Sequence, residues 1–203
     1  MPRDVERTKQ RAREAAIAEF AAHGEHGTTM ERIASRAGVN KQRIYAYFGD
    51  KAALFNAVVW EEIEKVTEAV PLFIERSADV GEFAGKNFDY LQAHPDLARL
   101  VLWEGLADVG AVPDEPARSA LYQRKLDVIA AAQRHGLIDD TLEPAYLVFM
   151  LLALASWWTA QPQTARMLTG ADPSAPRERG KRRAAVVDAA MRLARPPLPP
   201  SRT

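Results

Sequence analysis

The 203-residue sequence contains no cysteine, which excludes a disulfide framework and any thiolate metal centre. Histidine is scarce. His23 and His26 border a loop with no third ligand nearby, and His94 and His135 stand alone, so no metal site is expected. No apolar run is long enough to span a bilayer: Ala145 to Ala160 is broken by Ser156 and Thr159 and falls short of the roughly 20 residues a membrane helix needs. The first residues, Met1 to Glu14, alternate charges and hold no apolar stretch, unlike a signal peptide. These absences lead to the expectation of a cytoplasmic chain with no cofactor and no membrane partner. Strand-length period-two alternation and Asn-Gly turns are also missing, which leaves an all-α reading.

Net charge is zero as well, but the zero conceals a pattern. Residues 1–51 carry a net +3, residues 52–165 a net −9, and residues 166–203 a net +6. A basic end on an acidic body suits a protein that faces phosphate with one part only. Ordinary solvated surface gives the same numbers, so charge alone does not decide.

Apolar periodicity and breaker residues divide the chain into helices. The spacing predicts a helix over 4–23, ended by Gly24 and Gly27, and two short helices between 28 and 48. Asp50 caps a long helix from Lys51 to Val70, stopped by Pro71. Further helices are expected at 79–94, 95–109, 114–135, 143–160 and 181–194, with a break behind Pro162 and a loop over 170–180. The proline-rich tail, 196–203, is expected to be disordered. The domain boundaries expected are 1–50, 51–195 and this tail.

The chemistry concentrates in Thr28 to Leu54. Thr28 and Glu31 read as a capping box that starts a helix at about Thr29. Ile33 lies on its buried face beside small Ala34, and Ala37-Gly38 ends it. Val39 plugs the turn, Asn40 caps a second helix, and Ile44 faces back to Ile33. Two helices crossing steeply over a short turn need a small residue at the contact and a glycine in the turn. The second helix leaves Lys41, Gln42, Arg43, Tyr45 and Tyr47 outward, groups that bond phosphate oxygens and base edges. That is a helix-turn-helix, whose second helix enters the major groove of double-stranded DNA.

The same residues resemble the TetR family of one-component transcription regulators. The resemblance runs through Ala16-Ile17-Ala18-Glu19-Phe20, Gly24, Thr28-Thr29, Ile33-Ala34, Ala37-Gly38-Val39, Ile44-Tyr45, Tyr47-Phe48, Lys51 and Leu54, covering about the first 55 residues. Ala46 stands where many relatives carry histidine, and Gln42 and Arg43 where many carry small residues, which implies a distinct operator. The resemblance implies a homodimer of all-helical subunits. Each has a three-helix DNA-binding head and a C-terminal helical bundle that holds a small-molecule effector and the dimer interface. It also places Thr28, Thr29, Tyr47 and Lys51 on the DNA backbone, with Asn40, Lys41, Gln42, Arg43 and Tyr45 completing the DNA-binding set. The function implied is that of a repressor released from its operator by a small, largely apolar effector of unknown identity.

The body offers less. Asn87 and Leu91 share one helix face, residues 97–109 are apolar nearly all round, and Leu121, Tyr122 and Leu126 add another apolar face. Asn87, Leu91, Trp103, Leu106, Tyr122, Leu126 and Phe149 are candidates for lining an effector pocket, though large aromatics also simply fill cores. Residues 145–158 are apolar on all sides, and Ala184, Val187, Ala190, Met191 and Ala194 form a second stripe. Paired across two subunits, these make a four-helix seam.

An enzyme is not expected. The stretch from Gly81 to Asn87 only faintly resembles a phosphate loop, one residue short and with Asn where Ser or Thr must meet magnesium. The acidic pairs Glu61-Glu62 and Asp139-Asp140 read as solvated surface.

Overall fold

The computed structural model describes residues 2–107, 110 and 112–195, and among these it is built from ten helices without a strand. They are α1 (Pro2–His23), α2 (Met30–Ala37), α3 (Lys41–Phe48), α4 (Lys51–Ala69), α5 (Ala78–Ala93), α6 (Pro95–Leu106), α7 (Glu115–Arg134), α8 (Pro144–Ala160), α9 (Pro162–Thr169) and α10 (Pro176–Leu193). The 196–203 tail lies outside the described residues. Two helices depart from the expectation. Pro162, read as the break behind the 143–160 helix, opens an unexpected α9, and α10 begins at Pro176, inside the stretch read as a loop. In both cases proline sits in the first turn, where its missing N–H is no loss and its fixed φ favours the helix.

The chain forms two compact units. The first takes Met1–Lys65 and His94–Pro113; the second takes Val66–Ala93 and Asp114–Thr203. The compact units therefore divide inside α4, not at the 50/51 boundary drawn from the motif, and α6 belongs with the N-terminal helices.

In the first unit α1 packs on α2 and α6. Phe20, Ile33, Ile44 and Leu54 are fully buried, and Phe20 meets Phe55 edge-on at 5.2 Å between centroids. Trp103 of α6 lies over Gly24, which ends α1 with a left-handed φ of 68°. A Cβ at Gly24 would stand 2.8 Å from the indole, so glycine is required there both by conformation and by space. The indole Nε1 donates to the Ala21 carbonyl at 3.3 Å. The Glu61-Glu62 pair is not simply solvated: Glu61 pairs with Arg13 and Lys65, and buried Glu62 accepts from Lys65 at 2.7 Å. Burial works against the Lys65 ammonium, but the bonds from Glu62 and Glu61 outweigh it and raise its pKa above the ordinary lysine value.

In the second unit α5 is packed by α10 and α8, and α8 also meets α7 and α9. The faint phosphate-loop stretch is ordinary helix. Gly81 and Gly85, one turn apart on α5, let α10 approach so closely that a Cβ on either would press on Val187 or Met191. Of the α10 stripe, Val187 and Met191 pack on α5, Ala190 and Ala194 are buried, and Ala184 and part of Met191 stay exposed. On α8, Tyr146, Phe149, Met150 and Trp157 share one exposed apolar stripe.

Candidate DNA-binding surface

Local sequence explains how α2 and α3 are set. Thr29, not Thr28, is the N-cap of α2, its hydroxyl oxygen accepting from the Arg32 amide at 3.2 Å. Glu31 does not close a capping box but reaches across to Lys41 of α3 at 2.5 Å. Gly38, at φ 60°, ends α2 in a Schellman motif, with Gly38 N–H donating to Ser35 and Val39 N–H to Ala34. The guanidinium of Arg11, from α1, donates to the Ala37 and Gly38 carbonyls and fixes this turn against α1. Asn40 then caps α3, its Oδ1 accepting from the Gln42 amide at 2.8 Å. Asp50 caps α4 through the Ala53 amide, as expected from the sequence.

The outer face of α3 is Lys41, Gln42, Arg43, Tyr45 and Ala46, all exposed, with Tyr47 half-buried. Tyr47 lies beneath the Lys9 ammonium, 5.7 Å from its ring centre, and Arg13 lies over Phe48. Two residues expected on the DNA backbone are turned inward. Thr28 is 1% exposed and its hydroxyl donates to the Glu19 carbonyl. The Lys51 ammonium donates to the carbonyls of Glu25 and Thr28 at 2.6 and 3.2 Å. Both hold the loop between α1 and α2, a fold-building reason for their presence in the motif.

Most cations of the head are likewise engaged. Lys9 pairs with Glu6, Arg13 with Glu61, Arg32 and Arg36 with buried Glu19, and Lys41 with Glu31. The bond from Lys41 holds the Glu31 carboxyl below its usual pKa, and Glu31 raises that of Lys41 in return. Arg43 is in no such pair and stands exposed on the outer face of α3. Its guanidinium fork matches the O6 and N7 acceptors of guanine in the major groove.

A turn of this form, with a polar outer helix over an α1–α2–α3 core, is matched by the family model described as bacterial regulatory proteins, tetR family, over residues 13–58. A second model, tetracyclin repressor-like C-terminal domain, matches residues 79–192. The chain belongs to the TetR family. Similar proteins include the HTH-type transcriptional repressor SCO4008 of Streptomyces coelicolor, 40% identical over 169 residues that span 83% of this chain and 86% of that protein. The regulator RutR of Escherichia coli is 29% identical over 83% of this chain and 82% of its own length. Among solved structures, the putative regulator SCO4942 of Streptomyces coelicolor is 36% identical, with a TM-score of 0.78 over 92% of this chain and 98% of that one. The TetR assignment makes this chain a DNA-binding transcription regulator, and the helix-turn-helix read from the sequence is the one α2 and α3 build.

The candidate effector residues fall in both units. Trp103 and Leu106 belong to the first, where Trp103 clamps α6 to α1. Asn87, Leu91, Tyr122, Leu126 and Phe149 belong to the second. Asn87 and Leu91 are buried, Leu126 is half-buried, and Phe149 is 74% exposed on the α8 stripe. Asn87 Nδ2 donates back to the Phe83 carbonyl one turn earlier. Sequence reasoning had missed the Trp103–Gly24 contact, although the family-like glycine at position 24 was its visible half.

Proposed function

We propose that this TetR-family chain is a cytoplasmic homodimeric repressor that binds a pseudo-palindromic operator and is released by a small, largely apolar effector. What carries the DNA part of the reading is Arg43: an exposed cation on the outer face of α3, outside the ion pairs that engage its neighbours. The α8 stripe of Tyr146, Phe149, Met150 and Trp157 is the surface proposed for the second subunit. Two α3 helices related by a two-fold axis read half-sites about 34 Å apart or a little more. Asn87, Leu91, Tyr122 and Leu126 are the residues proposed for the effector.

The helix α4 contributes residues to both compact units, so it is the element through which effector occupancy reaches the DNA head. An effector that favours the state unable to bind DNA weakens operator binding by its own difference in affinity between the two states. Tenfold release needs about 1.4 kcal/mol of such coupling. Selection of bound sequences from random duplex DNA tests the proposal. A two-fold symmetric consensus is expected, and a single asymmetric half-site bound by a monomer at full affinity would overturn it.

A further inference from the structure

Helices α2 and α3 hold a single acidic residue, Glu31, against Arg32, Arg36, Lys41 and Arg43. A carboxylate is repelled by phosphate, so a surface built only to grip the DNA backbone gains nothing from it. Fold stability does not account for it either. Glu31 pairs with Lys41 at 2.5 Å, but the two side chains are 63% and 44% exposed, and an ion pair in water contributes little. The α2–α3 turn is already held by buried Ile33 and Ile44, and by Arg11 on the Ala37 and Gly38 carbonyls.

Position gives the pair a different use. Lys41 is the first residue of α3 and Glu31 the second of α2. The N-terminal end of the second helix is the part of a helix-turn-helix that meets base edges. A donor and an acceptor are therefore presented side by side at the reading end. The bond from Lys41, followed by that from its own backbone amide, holds the Glu31 carboxyl below its usual pKa, so it stays an acceptor. An ammonium has three donors, of which one goes to Glu31 and two remain for a base.

One base pair matches this set. In G·C, guanine O6 accepts from cytosine N4 at about 2.9 Å, and both atoms face the major groove. The spacing of ammonium and carboxylate is close to that, so Lys41 can donate to O6 while Glu31 accepts the outer N4 hydrogen. Guanine N7 takes the remaining ammonium donor. T·A in the same orientation also sets an acceptor beside a donor. It puts a methyl group where N7 would be, however, and adenine N7 against the carboxylate. C·G and A·T reverse the order and set the carboxylate against an acceptor oxygen.

We propose that Glu31 is a specificity-determining residue and that, with Lys41, it reads one G·C pair, in one orientation, in each half-site. This rests on the reading of α3 as the helix that enters the major groove, and it adds an acidic contact from α2 to that of Arg43. Glu31 works by exclusion: it gives little affinity for the right pair and penalises the wrong ones.

For the test, the full-length wild-type chain, Glu31→Gln and Lys41→Met each select from a random duplex library. Affinities for the wild-type winner and its single-base variants are then measured by fluorescence anisotropy. The winner should hold a G·C pair of fixed orientation in each half-site, where both variants lower the preference by about tenfold. The double variant should lose no more there than the worse single one, since the two residues act on one pair. Glu31→Gln should also bind a duplex of unrelated sequence more tightly than wild type, because a negative charge is gone. Guanine replaced by 7-deazaguanine at that pair should weaken the wild type and leave Lys41→Met unchanged. Should Glu31→Gln fold poorly, Glu31→Ala and the 7-deazaguanine comparison still decide. Preferences unchanged in the Glu31 variants, or relaxation of different pairs by the Glu31 and Lys41 variants, overturn the proposal and leave the reading of α3 standing. A wild-type pool with no preferred sequence overturns both.

Discussion

Arg43 and Lys125 are cations for which no anion is found among the described residues, and they differ in burial, Arg43 exposed and Lys125 only 7% exposed. Arg43 is solvated, so leaving it unpaired costs the fold nothing, and its fork is available to a base edge. Arg43→Ala should cost on the order of 1–3 kcal/mol of operator affinity and relax preference at one position in each half-site. Binding measured across a library of single-base operator variants checks this, and a uniform loss with the same preferred sequence would remove Arg43 from base reading. Lys125 is buried, so its charge is a liability in the folded protein. Its pKa is lower folded than unfolded, so between the two values the unfolded chain binds the extra proton and stability rises with pH. Below both values the penalty is fully present; above the ordinary lysine value it is gone. Lys125→Met should therefore raise the melting temperature of the protein near neutral pH, with the advantage shrinking as pH climbs toward the ordinary lysine pKa. Melts of both proteins at pH 7 and near pH 10 give the comparison, and a gap that widens with pH would contradict the burial argument.

At the scale of elements, helices bounded by strong local signals were legible and helices bounded by proline were less so. Gly38, Asn40 and Asp50 act through their own backbone and side chains, so α2, α3 and α4 could be placed from the sequence. Pro162 and Pro176 carry no such direction: proline after a helix and proline opening one look alike in sequence. Thr28 and Lys51 were legible as motif residues but not in their roles, because carbonyl partners 9 residues away for Thr28, and 26 and 23 away for Lys51, leave no local trace. The junction of α1 with α6 depends on Gly24 in two ways, through its positive φ and through the indole 2.8 Å from where a Cβ would stand. Gly24→Ala should destabilise the protein by about 1–3 kcal/mol, the scale of strain and overpacking at such a site. In the Trp103→Ala background the same change should cost less, since the space term is then removed. Denaturant unfolding of the four proteins measures the coupling, and strict additivity would show that only φ matters.

For the whole molecule, the α8 stripe and the interrupted first unit have separate consequences. Phe149 is 74% exposed on a helix face that also carries Tyr146 and Trp157, so Phe149→Asp should leave the subunit folded and impair self-association. Sedimentation should then show a monomer at concentrations where the wild-type chain is a dimer, with operator affinity falling in parallel; a dimer of undiminished affinity would place the interface elsewhere. The first unit, for its part, is assembled from two stretches of chain, Met1–Lys65 and His94–Pro113, with α5 spliced between them. The α1 helix, on which the DNA-reading α2 and α3 pack, thus depends for part of its own packing on a segment synthesised some thirty residues later. A hybrid regulator made by joining residues 1–50 to a foreign body would leave behind the native α6, and with it the indole that covers Gly24. Transplanting this specificity onto another sensor is therefore a two-splice problem, and the recipient helix at α6 must be chosen to fit the donor's α1.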